Sequence, residues 1–274
     1  MMIETWKMAA FDGLELVRSK DLQQDAPRHF HEGYAIGISL KGLQTIILQR
    51  QTCIIPPGSI IFLNPREVHA HKAFEHIAWS HRMLYISPEY ISWLQKSSQI
   101  RVKGNLCFTV PLTVQPVFYK LFNTIHQKCI AQVKHLNLVK EFEYCMTVLF
   151  NHYSSGKPLH KAFTLEERIK EIQDYIEYHH QDNLNLERLS QKFHLSKYHL
   201  IRSFKECKGV TPNEYLNILR IEKAKNYILQ GNSLVSSALE AGFYDQSHFS
   251  HYFTRYTSFT PGQFQRGCIE LQLG

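Results

Sequence analysis

The chain has 274 residues, 44% of them hydrophobic and 20% charged, which is enough for two domains that each bury a core. Its formal charge of +7 favours a polyanionic partner. Its six cysteines (Cys53, Cys107, Cys129, Cys145, Cys207 and Cys268) are scattered with no C-x-x-C pair, which argues against a disulfide framework or a zinc knot.

At the N-terminus Glu4, Asp12 and Glu15 interrupt the apolar stretch, so it lacks the core of a signal peptide. No apolar run approaches membrane-spanning length, and the expectation is a cytoplasmic protein with no membrane partner. From about Arg28 to Ser87 apolar residues alternate in short runs, as in Tyr34, Ile36, Ile38 and Leu40, and again Ile60 and Phe62. Turn signals at Gly33, Gly42, Pro56-Pro57-Gly58 and Asn64-Pro65 break them, which predicts a small β-barrel or sandwich.

From Thr113 the period becomes helical. Val117, Leu121 and Ile125, then Leu138, Phe142, Cys145 and Leu149, predict two helices joined near Ala131 to Lys134, with stripes suited either to a core or to an interface. Ser154-Ser155-Gly156-Lys157-Pro158 has linker chemistry. Beyond it Thr164 and Glu167 form a capping box ahead of the stripe Leu165, Ile169, Ile172 and Ile176. Asn185 is the expected N-cap of a short helix carrying Leu186, Leu189 and Phe193, and Ser196 that of a second helix carrying Leu200 and Phe204.

The segment from Phe193 to Tyr215 recurs about 49 positions later, from Gly242 to Phe264. Leu200 matches Phe249, Phe204 matches Phe253, Thr211-Pro212 matches Thr260-Pro261, and Tyr215 matches Phe264. In both copies a Thr N-cap and a Pro at the first helical position precede Glu214 or Gln263 at the third. A short helix, a tight turn and a second helix, with small residues (Ser190, and Ala238 or Ala241) at the close approach, is the helix-turn-helix layout. Joined by a long helix from Pro212 to Leu229, two such units suit successive major-groove faces roughly 34 Å apart.

Leu200 and Phe204 face the core, so Lys197, Tyr198, Ile201, Arg202 and Lys205 point outward. Arg202 has the planar fork that holds guanine O6 and N7, and Tyr198 and Ile201 can pack on thymine methyls. Lys197, Lys205 and Lys208 suit phosphates. In the second unit Gln246, Ser247, Ser250 and His251 are the candidate base readers, with fewer fixed charges, and Ser258 stands where a helix-ending Gly is usual.

The stretches SKYHLIRSFKECKGVTPNEYL, RIEKAKNYIL and AGFYDQSHFSHYFTRYTSFTP, with Ala241-Gly242-Phe243 before the second recognition helix, resemble the DNA-binding domain of the AraC/XylS family of bacterial regulators. The segment HFHEGYAIGISLKG followed by PPGSIIFLNPREVHAH resembles the cupin-type sensor domain fused to it. The resemblance implies base-reading residues at Tyr198, Ile201 and Arg202, and an α+β multidomain architecture. In that reading residues 1–112 form a cupin-like effector-sensing barrel, 113–153 a helical pair for dimerisation, and 154–163 a linker. Residues 164–274 form an all-α domain with helix-turn-helix units at about 186–208 and 234–256.

The implied partners are double-stranded promoter DNA, a small-molecule effector, a second copy of the chain and RNA polymerase, with no cofactor. Pocket candidates are His29, His31, Tyr34, Asn64, His69 and Trp79. His29, His31 and His69 match three histidines of metal-dependent cupins, but Glu32 follows too closely for the usual glutamate and Glu67 replaces the usual glycine. A metal site on these histidines, or a cupin dioxygenase or isomerase built on one, is the alternative reading.

Overall fold

The computed structural model describes residues 2–8, 14–49, 51–97, 100–102, 104, 106–131, 138–156 and 165–271. Two facing β-sheets make the N-terminal half, and the larger is extended at its edge by a strand from the C-terminal end that pairs parallel with the first strand, so residues 164–274 are not all-α as expected. The larger holds β1 (Met2–Met8), β2 (Leu14–Leu22), β4 (Tyr34–Lys41), β7 (Ile60–Leu63), β9 (Trp79–Ile86), β11 (Leu112–Thr113) and β13 (Cys268–Leu271), in the order β11-β7-β4-β9-β2-β1-β13. The smaller holds β3 (Ala26–His29), β5 (Gln44–Ile47), β6 (Thr52–Ile55) and β8 (His69–Ala73), in the order β3-β8-β5-β6.

Strand alternation sorts the large sheet into two faces. Ala35, Ile61, Leu63 and Met83 face the small sheet, where they pack with Ile46, Leu48 and Ile55 inside the barrel. Their neighbours Leu14, Leu16, Tyr34, Ile36, Ile38, Ile60, Phe62, Leu84 and Ile86 face outward and form a second core with three helices. These are α1 (Pro88–Ser97), α2 (Pro116–Ile130) and α3 (Leu138–Tyr153).

The helical stripes resolve unequally. Leu138, Phe142, Cys145 and Leu149 are buried in that outer core, so the α3 stripe packs on the chain's own barrel and is not an interface between chains. On α2 Ile125 is buried while Val117 is 73% exposed. Ser154, expected to open a linker, instead starts the strand β12 (Ser154–Gly156), which pairs with β10 (Leu106–Phe108). The three residues continue straight from α3, and their small side chains leave the backbone free to complete a two-stranded ladder. Residues 157–164, including the expected N-cap Thr164, lie outside the described residues.

The C-terminal half comprises α4 (Leu165–Tyr178), α5 (Leu186–Lys192), α6 (Lys197–Lys208), α7 (Pro212–Leu229), α8 (Leu234–Glu240), α9 (Gln246–Thr257) and α10 (Pro261–Gly267). Capping sets their starts. Asn185 accepts from Arg188 N–H, Ser196 from His199 N–H, Ser233 from Ser236 N–H and Asp245 from Ser247 N–H. Thr211 and Glu214 form a full capping box, and Thr260 with Gln263 repeats it hydrogen bond for hydrogen bond.

The repeat is finer than a constant offset. Within the first helix and its turn the offset is 48: Leu195 N–H donates to Ser190 O as Phe243 N–H donates to Ala238 O, which makes Ala238 the counterpart of Ser190. After the turn it is 49, because the second turn is one residue longer. The left-handed turn residue is His194 in one unit (φ 51°) and Gly242 in the other (φ 93°). A Cβ on Gly242 would lie 2.7 Å from His180 O, so glycine is required there both for its φ and for the close approach.

Gly209 and Ser258 close the two recognition helices in the same left-handed conformation, at φ 79° and 64°. Ser258 bears the Cβ cost of that conformation, and Gly209 does not. Ser258→Gly is therefore expected to raise stability by about 1 kcal/mol, whereas Gly242→Ala lowers it by about 2 kcal/mol. Denaturation midpoints of the two variants against wild type check both signs.

Candidate functional site

Two surfaces carry the candidate residues. The first is the outer face of the two recognition helices, α6 and α9. Leu200, Ser203 and Phe204 bury one side of α6 and Phe249, Phe253 and Tyr256 one side of α9. The opposite sides therefore face solvent. Tyr198 is 74% exposed, Arg202, Lys205, Gln246, Ser247 and His251 are exposed, and Ile201 and Ser250 are half-buried. Two of the expected phosphate contacts are less free than their sequence positions imply. Lys197 is ion-paired with Glu187 of α5, and Lys208 is half-buried, with burial the main cause of its lowered pKa.

The second surface is the barrel interior, a cavity of about 120 Å³ lined by both sheets and closed by α7, the end of α9 and α10. His29, His31 and Trp79 line it. His69 is fully buried beside them, its ring centroid 4.3 Å from that of His29 and 5.2 Å from that of His31. Tyr34 and Asn64 are not pocket residues. Tyr34 lies on the outward face of β4, where it donates to Leu106 O at 2.9 Å and packs against Phe108 and Phe150. Asn64 is used up in a turn, bonding Glu67 and both the N–H and the carbonyl of Phe108.

Strand parity brings in residues that the sequence reading passed over. Glu15 and Tyr85 face each other across β2 and β9 and line the cavity, as do His71, His81 and Gln44. His71, Trp79 and His81 stack in a row, with centroids 5.8 and 4.6 Å apart. Burial dominates their titration. His29 and His81 are pushed down to about 3 and His69 and His71 are held well below the usual histidine range, so all four are neutral at pH 7. Gln44 Nε2, Trp79 Nε1 and His81 Nδ1 are buried without a hydrogen-bond partner among the described residues.

The cavity wall nearest the helical domain belongs to α7. Glu222, half-buried, and Lys225, buried, are three apart and form an ion pair at 3.2 Å. Glu15 of β2 stands 4.0 Å from Lys225, and His31 Nδ1 stands 3.5 Å from Glu222 Oε2. Burial on its own raises the Glu222 carboxyl, but Lys225 and His31 overcome it and hold it down to about 2. Burial likewise works against the Lys225 ammonium, and Glu222 and Glu15 overcome that and raise it. At Glu15 burial outweighs Lys225 and the carboxyl is raised.

Next to the histidines, just beyond the end of β3 and just before the start of β8, apolar side chains enter the helical domain. Phe30, between His29 and His31, is fully buried and stacks on Tyr215 of α7 at 4.7 Å. Val68, next to His69, joins Phe30 in the core built by α4 to α10. Polar contacts surround this plug. Arg66 pairs with Glu177 of α4 at 2.8 Å, Lys223 with Glu32 at 2.9 Å, and Gln49 Nε2 donates to Glu206 O near the end of α6.

Comparison with known proteins agrees with this division. The family described as AraC-like ligand binding domain matches residues 13–136, and the family described as helix-turn-helix domain matches residues 189–267. The chain is 31% identical over 240 residues to an uncharacterized HTH-type transcriptional regulator YbfI of Bacillus subtilis, covering 86% of this chain and 85% of that protein. It is 24% identical over 264 residues to the HTH-type transcriptional activator RhaS of Klebsiella pneumoniae, covering 89% of each. Among solved structures, ToxT of Vibrio cholerae superposes with a TM-score of 0.58 at 14% identity, over 97% of each chain.

The buried charges of α7 yield a stability prediction. Removing one partner of a buried pair leaves the other uncompensated, at a cost of about 3–5 kcal/mol. Lys225→Met alone should show a loss of that size in urea denaturation, and adding Glu222→Gln to it should restore most of the loss. A single variant within about 1 kcal/mol of wild type would show that the pair is solvated.

Proposed function

The chain belongs to the AraC family of helix-turn-helix transcription regulators, and from that premise we propose that it reads promoter DNA with α6 and α9 under the control of a small molecule held in the barrel. The observation that carries the DNA-reading part is the paired exposure of two capped helices whose opposite faces are buried in one shared core. Arg202 is the principal base reader, with Tyr198 and Ile201 beside it, and Gln246, Ser247, Ser250 and His251 read the second groove. Lys205 contacts phosphate freely. Lys197 does so only by exchanging Glu187 for DNA, and Lys208 contributes least.

Support for the effector site comes from Gln44 Nε2, Trp79 Nε1 and His81 Nδ1, buried polar atoms for which the described residues supply no partner. The cavity of about 120 Å³ is well below the ~300–1,000 Å³ of sites for drug-sized ligands, so the effector is a small metabolite such as a sugar or amino acid. The barrel senses and does not catalyse. Among the described residues no helix is long and apolar enough to cross a membrane, and a promoter-binding protein works in the cytoplasm. Two copies pair through the exposed side of α2 and α3, where Val117 and Tyr144 face solvent, and the DNA-bound dimer engages RNA polymerase.

Two measurements test this reading. In binding to a library of duplex sites at fixed salt, Arg202→Ala should cost about tenfold to a hundredfold at the best site and flatten the preference at one base, while His251→Ala costs less. The reverse order overturns the assignment of the first helix as the dominant reader. Lys205→Ala should weaken specific and random duplexes alike and make the slope of log affinity against log salt shallower by about 0.9. A variant that alters preference without altering that slope shows that Lys205 contacts bases.

A further inference from the structure

His69 and His29 are held by the same device. Each ring donates Nδ1–H to the main-chain carbonyl two residues earlier, at 2.7 Å to Glu67 O and 2.7 Å to Pro27 O, and each thereby turns an unprotonated Nε2 inward. A backbone carbonyl on the far nitrogen is the arrangement that orients metal-ligating imidazoles and raises their basicity. The free nitrogens have nowhere else to go. Among the described residues His69 Nε2 and His31 Nδ1 are buried without a hydrogen-bond partner, and one ligand atom from each of His29, His31 and His69 lies within 4.8 Å of the others.

A carboxylate from the other half of the molecule stands beside one member of the group, His31. Glu222 Oε1 is bonded to Lys225, whereas Oε2 faces His31 Nδ1 at 3.5 Å. Two ligand atoms on one tetrahedral ion with bonds of about 2.0–2.1 Å stand about 3.3 Å apart, so this spacing already suits shared coordination. An ion pair to Glu222 accounts for His31 alone and leaves His69 Nε2 without a partner among the described residues.

We infer that His29, His31 and His69 hold a divalent transition metal ion of the zinc class, with Glu222 on α7 supplying a ligand from the DNA-binding domain. Imidazole nitrogens and one carboxylate suit zinc, cobalt, nickel or iron and are poor ligands for magnesium or calcium. The ion is a regulatory clasp. With it bound, α7 is tied to the barrel through the ion, and without it Glu222 is left to Lys225 and His31. The inference rests on the reading of the barrel as the sensing half, and the regulator assignment does not depend on it.

The test uses the full chain stripped with a chelator and titrated with Co²⁺, whose visible absorption reports coordination number, followed by displacement with Zn²⁺. The expected result is one Co²⁺ per chain with the intense bands of a four-coordinate site, bands that are absent in His69→Gln. In Glu222→Gln affinity should fall at least tenfold, and in wild type Zn²⁺ should shift affinity for a cognate duplex. A wild-type protein with no such bands, or stoichiometric binding that survives His69→Gln, overturns the site, and wild-type affinity in Glu222→Gln overturns the clasp. Duplex binding by the metal-free protein is read in parallel. If it persists while the metal result is negative, the metal site and its clasp fall and the regulator reading stands, and if wild type binds no duplex in any metal state, it is the regulator reading that falls.

Discussion

Alternation at the ends of two short strands governs how the halves of this protein meet. In a strand successive side chains point to opposite faces, and where the chain leaves β3 the run His29-Phe30-His31 keeps that split, with two imidazoles lining the barrel and one phenyl ring in the core of the helical domain. Val68-His69 repeats the split. The wall of the sensing cavity and the plug of the DNA-binding core are therefore one piece of backbone, a single residue thick. A ligand that shifts the backbone at His29, His31 or His69 also moves Phe30 or Val68, and Phe30 stacks on Tyr215 of the helix that joins the two helix-turn-helix units.

The energetics of this junction suit a switch. Burying Phe30 is worth about 2–3 kcal/mol, and much of the remaining contact is polar: Arg66 with Glu177, Lys223 with Glu32, and the largely buried set of Glu15, Glu222, Lys225 and His31. Buried charges of this kind contribute little net stability, and they penalise any arrangement that leaves one of them unpaired. The docked state is therefore specific without being deeply favoured. An effector needs only a modest difference in affinity between docked and released states to shift the population. The first recognition helix feels this directly, because Gln49 bonds its Glu206 carbonyl and Gly209, its C-cap, lies against Arg28 and Val68.

The helical half was the more legible in the sequence, for a local reason. Caps such as Asn185, Ser196 and Thr211 with Glu214 act within one turn, and a duplicated pattern can be compared with itself. The one-residue lengthening of the second turn was blurred because His194 and Gly242 fill the same left-handed position with different residues. The barrel was read less well because its site is assembled across strands. His29, His31, His69 and Trp79 could be found from motifs and parity, but Tyr34 and Asn64 fall on the wrong face or in a turn, and β1 and β2 escaped notice because Glu15 points inward beside Leu14 and Leu16 pointing outward. Glu222 and Lys225 read as an ordinary charged helix face. Only the fold shows that α7 is buried on nearly all sides and that this face closes the barrel.

Linkage makes the junction measurable from the DNA side, since a site that biases DNA binding must itself be biased by DNA. Hydrogen exchange of the full chain with and without a cognate duplex reads this directly. Coupling predicts changed protection in Ala26–His29 and His69–Ala73, strands that lie in the barrel and not on the recognition face. Protection that changes only in α5, α6, α8 and α9, with the barrel strands unaltered, would contradict it and leave the two halves as independent domains that happen to touch.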